Sequence, residues 1–218
     1  MTLVISAPGK DFVVLGADSR GTLGGLTSDL IIAMDDMIKL NKISKHVGFL
    51  TFDTAPYGEM LLEEFQKKKS KRLDGTSEVC DTFRGICRER WNRWLGGVRP
   101  EEYPSVGFMI SGLDKDRKRT FTIPKTYTVH SAHGFFPALH KGFVCMGITS
   151  LANYILNKRY QKAIDQEALA ALVAYSISET ASIDRRVGGK IRIAIVDKDG
   201  YRERQSQEIE EWIETFKE

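Results

Sequence analysis

The stretch TLVISAPGKDFVVLGAD, residues 2–18, decides how this chain folds. Two runs rich in apolar and β-branched residues flank the break Pro8-Gly9-Lys10, a pattern typical of an antiparallel β-hairpin. If the turn is centred near Lys10, residues whose numbers sum to about twenty face each other across the ladder. Thr2 is then predicted to lie opposite Asp18, so the hairpin joins the start of the chain to an acid.

A second hairpin follows, in which residues 37–43 turn back into residues 46–52. We expect these two strands to extend the same sheet to four strands. The sheet would then bring Lys39 to the end where Thr2 and Asp18 meet. A hydroxyl, a carboxylate and an amine would gather at the chain terminus.

Such a group of side chains has a chemical use if Met1 is removed. Thr2 would then carry a free α-amine, a group whose ordinary pKa of about 7.7–8.0 makes it a base near neutral pH. A threonine hydroxyl needs a base to become a nucleophile, and an N-terminal amine is one known solution. Lys39 would stabilise the alkoxide, and Asp18 would hold the ammonium in place.

Three motifs carry a family resemblance that covers nearly the whole chain. They read GADSR at 16–20, KLNKI at 39–43 and DRRVGG at 184–189. Together with Thr2 they resemble a proteasome β-type subunit, a member of the N-terminal-nucleophile hydrolases. The resemblance implies an α+β fold, a four-layer αββα sandwich of two antiparallel sheets flanked by helices. It also implies catalytic roles for Thr2, Asp18, Lys39 and Asp184.

The rest of the pattern agrees with two packed sheets that have helices outside. Apolar residues at helical spacing predict helices at 57–69, 76–96, 150–161, 166–183 and from Ser206 onward. Alternating residues predict strands at 105–111, 118–123, 127–130, 142–146 and 190–196. The glycine-rich residues 21–28 are expected to form a flexible turn, which in the family lines the substrate cleft.

Composition limits the classes of function. With 218 residues, 42% of them hydrophobic, the chain can bury one large core, so residues 1–218 are expected to form a single domain. A net charge of +3 is too small to indicate a nucleic-acid partner, and no apolar run is long enough for a membrane span. The three cysteines and the lack of a signal-peptide pattern predict a reducing cytoplasm, with Cys80 and Cys87 as buried thiols.

Neither a metal nor a cofactor is expected. His130, His133 and His140 lie close together in the sequence, but no acid or cysteine stands near them at a recognised ligand spacing. A pocket rim or a ring contact explains these histidines better. The chemistry expected at Thr2 needs no cofactor.

Three positions depart from the pattern of the family. Active members have serines where this chain has Ile148 and Val187, although Thr149 or Ser150 could supply one hydroxyl after a small shift. Asp53 stands where a glycine backbone N–H forms the oxyanion hole. A backbone donor survives a change of side chain, but a nearby carboxylate opposes an oxyanion.

Three functions remain open. The first is a threonine peptidase in a ring-shaped homo-oligomer, which cleaves peptides or unfolded protein and works with a possible ATP-dependent unfoldase. The second is an amide ligase or amidohydrolase that uses the same nucleophile. The third is a non-catalytic ring scaffold, in which Thr2, Asp18 and Lys39 are only strand and turn residues.

Overall fold

Two five-stranded antiparallel sheets form the centre of the computed structural model, which describes residues 2–23, 31–53, 55–68, 73–96 and 104–217. The first sheet has the order β10-β1-β2-β11-β12, and the second has the order β5-β6-β7-β8-β9. The strands of the first sheet are β1 (Leu3–Pro8), β2 (Val13–Ala17), β10 (Val144–Gly147), β11 (Arg192–Asp197) and β12 (Gly200–Glu203). Those of the second are β5 (Leu40–Ser44), β6 (Val47–Asp53), β7 (Val106–Lys115), β8 (Phe121–His130) and β9 (Ala138–His140).

Helices cover the outer face of each sheet. The described helices are α1 (Ala55–Lys68), α2 (Thr76–Trp94), α3 (Ser150–Arg159), α4 (Gln166–Ile183) and α5 (Ser206–Lys217). Helices α1 and α2 pack on the second sheet, whereas α4 and α5 pack on the first. The expected αββα sandwich of two antiparallel sheets is therefore confirmed.

Three layers of apolar residues hold the sandwich together. Between the sheets lie Val4, Leu15, Leu50 and Met109, all fully buried. A second cluster joins the first sheet to α3, α4 and α5, and a third joins the second sheet to α1 and α2. Strands β1 and β2 are buried along their whole length because both of their faces are covered.

The N-terminal hairpin forms as expected, but its register differs by one residue. Pro8 pairs with Val13 and Val4 with Ala17, so Leu3, not Thr2, is the residue level with Asp18. The turn explains this difference. The Gly9 N–H donates to the Phe12 carbonyl oxygen, so the turn is centred between Lys10 and Asp11. Thr2 lies two positions beyond Val4–Ala17, the last pair of that ladder.

The prediction that residues 37–43 and 46–52 extend the hairpin's sheet is wrong. They form β5 and β6 of the other sheet, and β5 begins only at Leu40. The strand pattern was correct, but alternation cannot tell which sheet a strand joins, because both sheets bury apolar residues. Lys39 therefore reaches Asp18 from the facing sheet.

Smaller differences concern loops and helix starts. Gly21–Leu23 is a strand, β3, paired with β4 (Ile31–Met34), where a flexible turn was expected; residues 24–28 of that segment lie outside the described residues. The predicted strands at 118–123 and 127–130 are one continuous strand, β8. Thr76 is the first helical residue of α2 and Gly75 its N-cap, and Asp114 of β7 accepts the Ser77 N–H instead.

Candidate active site

Asp18 lies at the centre of a buried group of donors. Its Oδ1 accepts hydrogen bonds from the Thr2 hydroxyl at 2.8 Å and from the Lys39 ammonium at 2.7 Å. The backbone N–H of Leu3 donates to the same oxygen, and the N–H groups of Gly188 and Arg20 donate to Oδ2. Asp18 is only 1% exposed, so these donors replace the water that its carboxylate would otherwise need.

Lys39 stands just before β5, and its side chain reaches Asp18, the residue that follows β2 of the other sheet. Its Nζ also donates to the backbone oxygen of Arg20 at 2.7 Å, and its own backbone oxygen accepts the Thr51 N–H. Burial lowers the pKa of the Lys39 ammonium, and the charge of Asp18 opposes that shift. The ion pair with Asp18 is thus the main interaction that favours a charged lysine here, and the charge of Asp35 adds to it.

The backbone of Thr2 is fixed by β10. The N–H of Ile148 donates to the Thr2 carbonyl oxygen at 2.8 Å. Gly147, which precedes it, has a φ of +92°, and a Cβ at this position would overlap that same carbonyl oxygen. Glycine is therefore required for the close approach of the two chains.

Arg20 forms an outer layer behind Asp18. Its guanidinium makes a two-bond contact with Asp35, at 2.6 Å and 3.1 Å, and donates to the backbone oxygen of Arg185. Ser19 donates its hydroxyl to the backbone oxygen of Asp35. These contacts tie the loop after β2 to the segment that carries Gly188, an Asp18 donor.

A cleft of about 760 Å³ opens beside this group. Thr2 and Lys39 both line it, together with residues of β6 and α1. Its described lining further includes Arg20, Gly21, Thr22, Met34, Met37, Ile38, Asn41, Thr51, Phe52, Asp53, Pro56, Glu59, Leu62, Glu63 and Gln66. Thr2 therefore lines a space large enough for a peptide-sized ligand.

Asp184, which the resemblance placed in the site, is not joined to the other three residues. Its carboxylate binds the guanidinium and the backbone N–H of Arg186. The hydrogen bond with Arg186 holds the pKa of Asp184 below its usual range. Asp184 instead stabilises the turn from Asp184 to Val187, since its backbone oxygen accepts the N–H of Val187.

The two positions that lack a family serine are apolar in the structure as well. Val187 is fully buried, and Ile148 packs against the same apolar cluster. Thr149 caps α3 through its backbone position, and Ser150 is the first residue of that helix. Among the described residues, neither hydroxyl forms a hydrogen bond with Thr2, so the suggested replacement of the lost serine is not seen.

Asp53, at the end of β6, has a φ of +67°, a left-handed conformation that glycine adopts without cost and aspartate tolerates better than most residues. Its Oδ2 accepts hydrogen bonds from His130 Nε2 at 2.8 Å and from the Ser105 hydroxyl at 2.9 Å. The bond from His130 lowers the pKa of Asp53, whereas burial raises it and the bond from Ser105 lowers it further. Sequence reasoning singled out Asp53 but missed both partners, because they are far away in the chain.

The described ranges lack the features of two other kinds of site. No cluster of three or more histidine, cysteine, aspartate or glutamate side chains there has the arrangement of a metal site. None of the described helices is long and apolar enough to span a membrane.

A family model and two curated proteins that match this sequence are all described as proteasome subunits. The sequence model of the Proteasome family, described as proteasome subunit, matches residues 2–196. Proteasome subunit beta type-1 of Saccharomyces cerevisiae is 22% identical over 91% of this chain and 85% of its own length. Proteasome subunit beta 1 of Thermococcus kodakarensis is 23% identical over 94% of this chain and 93% of its own length.

A solved structure has the same fold. The Anbu (Gly-1) mutant from Hyphomicrobium sp. strain MC1 superposes with a TM-score of 0.72 at 15% identity. The superposition covers 100% of this chain and 94% of the other. At this level of identity the likeness concerns the fold alone.

Proposed function

The chain belongs to the Proteasome subunit family, and on this premise we propose that it is an N-terminal threonine peptidase. One observation carries the proposal: the Thr2 hydroxyl and the Lys39 ammonium donate to the same oxygen of Asp18 beside a cleft. A nucleophile, a cation and an orienting carboxylate are the parts that acyl transfer needs.

Acylation begins once Met1 has been removed. The α-amine of Thr2 accepts the hydroxyl proton as Oγ1 attacks the carbonyl carbon of the scissile peptide bond. Lys39 stabilises the alkoxide as it forms, and Asp18 keeps the ammonium in place. The amine then returns the proton to the leaving nitrogen, so that an ester at Thr2 and a free amine product remain.

Hydrolysis of the ester completes the cycle. The same amine takes a proton from water as the water attacks the ester carbon. The bond from that carbon to Oγ1 then breaks, and the amine returns the proton to Oγ1, which releases the carboxylic acid product and restores the Thr2 hydroxyl group. Each tetrahedral intermediate carries an oxyanion that needs a donor at the cleft. In this proposal the backbone N–H of Asp53 is that donor, as the resemblance of this position to the oxyanion-hole glycine implies.

The family also supports proposals about substrates and assembly. We propose that peptides or unfolded segments are the substrates, that copies of the chain assemble into rings, and that an ATP-dependent unfoldase could supply substrate. A single domain spanning residues 1–218 and a cytoplasmic location are part of the same proposal. Cys80, Cys87 and Cys145 are free thiols, which supports a reducing compartment.

A second candidate function has specific support. Ile148 and Val187 are apolar where active members of the family carry serines, and both pack in a core. A ring subunit that has lost catalysis would tolerate such changes. In that case Thr2, Asp18 and Lys39 stabilise the junction between the two sheets and nothing more.

Peptide hydrolysis by purified protein separates these functions. We expect the wild type to cleave unstructured peptides, Thr2→Ala to lower kcat at least about a thousandfold, and Thr2→Ser to retain measurable activity. Adding a primary amine distinguishes a ligase, which would form a new amide from the acyl group. Activity that is the same in Thr2→Ala, or absent from a wild type lacking Met1, would support the scaffold.

A further inference from the structure

We propose that His130 and Ser105 are positioning residues for the oxyanion step and that they act through Asp53. The inference rests on the function proposed above. The two residues would allow a chain with an aspartate at position 53 to offer its backbone N–H to a negatively charged intermediate.

The ladder pattern shows where the Asp53 N–H points. Neighbouring N–H groups of an antiparallel strand point to opposite edges, and the Thr51 N–H donates to the Lys39 carbonyl oxygen, on the edge that β5 occupies. The Asp53 N–H, two residues further, lies on that same edge, beyond the point where β5 begins. It is therefore directed to the side of the cleft that holds Lys39.

The carboxylate of Asp53 is held on the other side. Ser105 directly precedes β7 and His130 ends β8, so both partners come from the edge opposite to β5. The side chain of Asp53 is one-third exposed and that of His130 one-fifth exposed, which leaves the pair partly shielded from water. The two hydrogen bonds thus separate the charge of the side chain from the donor of the main chain.

The tautomer of His130 follows from its second contact. The backbone N–H of Ala132 donates to Nδ1 at 3.1 Å, and a backbone N–H is only ever a donor. The neutral ring therefore carries its proton on Nε2, the nitrogen that faces Asp53. The Phe52 ring stacks on His130, with the ring centres 5.9 Å apart, and fixes its plane.

The hydrogen bonds from His130 and Ser105 favour the oxyanion in two ways, because they keep the Asp53 carboxylate away from it and hold the Asp53 backbone in place. A carboxylate free to turn toward the cleft would oppose the developing negative charge and compete for donors. It would also allow the strained left-handed backbone of Asp53 to relax, which would move the N–H. Since the charge develops only in the transition state, loss of either partner should lower kcat more than it raises KM.

A double-mutant cycle on the mature enzyme tests the proposal. Asp53→Gly removes the carboxylate but keeps the N–H and suits the positive φ. We expect His130→Ala to lower kcat about tenfold, less than the loss of a whole oxyanion donor, with KM within about twofold. In the Asp53→Gly background the same His130→Ala change should alter kcat by less than about twofold.

Three further variants guard against a purely structural effect. Ser105→Ala should lower kcat in the same direction and Ser105→Thr, which keeps the hydroxyl, should restore it. His133→Ala is the matched control, because its ring is 5.8 Å from that of His130, whereas the described hydrogen-bond partners of the Asp53 carboxylate are His130 and Ser105. It should leave kcat unchanged.

The outcomes distinguish a failure of the positioning role from a failure of the proposed peptidase activity. An equal loss from His130→Ala in the aspartate and glycine backgrounds overturns the positioning role while the peptidase stands. A His130→Ala variant with a higher KM and an unchanged kcat also overturns the positioning role. A wild type that neither hydrolyses peptides nor becomes acylated at Thr2 overturns both.

Discussion

Thr2 and Lys39 donate to one and the same oxygen atom, Oδ1 of Asp18, although they come from opposite sheets of the sandwich. The contact lies where the start of β1 meets the start of β5, in a region that is almost wholly buried. A hydroxyl and an ammonium group are thus held near each other by a shared acceptor.

Asp18 should matter for stability as well as for activity. Asp18→Asn leaves the Lys39 ammonium buried without a counter-charge, and breaking a buried ion pair costs of the order of 3–5 kcal/mol. We expect a clearly lower urea midpoint and loss of peptide hydrolysis. Asp35→Asn is the control, since it breaks only the exposed pair with Arg20, and its midpoint should change little. Equal midpoints for the two variants would contradict this account of Asp18.

Lys39 should set the alkaline limit of activity. Burial lowers its pKa, and Asp18 opposes the shift only in part. Because the charged form is the active one, activity falls as pH rises through this lowered pKa. The fall in kcat/KM should therefore begin below about pH 10.4, the ordinary pKa of lysine. Thr2→Ser should show the same alkaline limb, and a plateau that extends past that pH would be inconsistent with a catalytic Lys39 whose pKa is lowered.

Gly147 should be required for the placement of Thr2. Gly147→Ala forces a Cβ against the Thr2 carbonyl oxygen in a backbone conformation that alanine rarely adopts. A shift of about 1 Å in the nucleophile can lower the rate about a hundredfold, so we expect a loss of that size in kcat. Gly142→Ala is the matched control, because nothing lies within 4 Å of a Cβ there. If both variants behave as the wild type does, the close approach has no role in the site.

The cysteines should be unreactive in the folded protein. Burial raises the pKa of Cys80 and of Cys145 to about 12, and it raises that of Cys87 well above its ordinary value. Since the thiolate is the reactive form, alkylation by iodoacetamide at pH 8 should be slow until urea unfolds the chain. Peptide mapping of the alkylated sites measures this. Fast modification of Cys80 without denaturant would show that α2 does not pack as described.

Local sequence patterns predicted much of the fold. The helix at 166–183 has the predicted ends, where Asp165 caps its start by accepting the N–H groups of Glu167 and Ala168. The N-terminal hairpin was also clear, because a Pro-Gly break between two apolar runs leaves few alternatives. Its register could not be read because the turn residues allow centres one position apart.

What the sequence could not show was long-range arrangement. The pairing of Lys39 with Asp18 was expected, but through one sheet, whereas it joins two. The contact between Asp53 and His130 spans 77 residues and depends on how β6, β7 and β8 align. Asp184 was transferred from the family motif, and its neighbour Arg186 takes its carboxylate instead. Local patterns contain no signal for such partners.

The most direct test of the account is the intact mass of the purified chain, followed by peptide mapping after treatment with a peptide β-lactone. We expect a chain that lacks Met1, and a single adduct on the N-terminal peptide that Thr2→Ala abolishes. A chain that keeps Met1 while it hydrolyses peptides, or an adduct at any residue other than Thr2, would contradict the claim that Thr2 is both nucleophile and base.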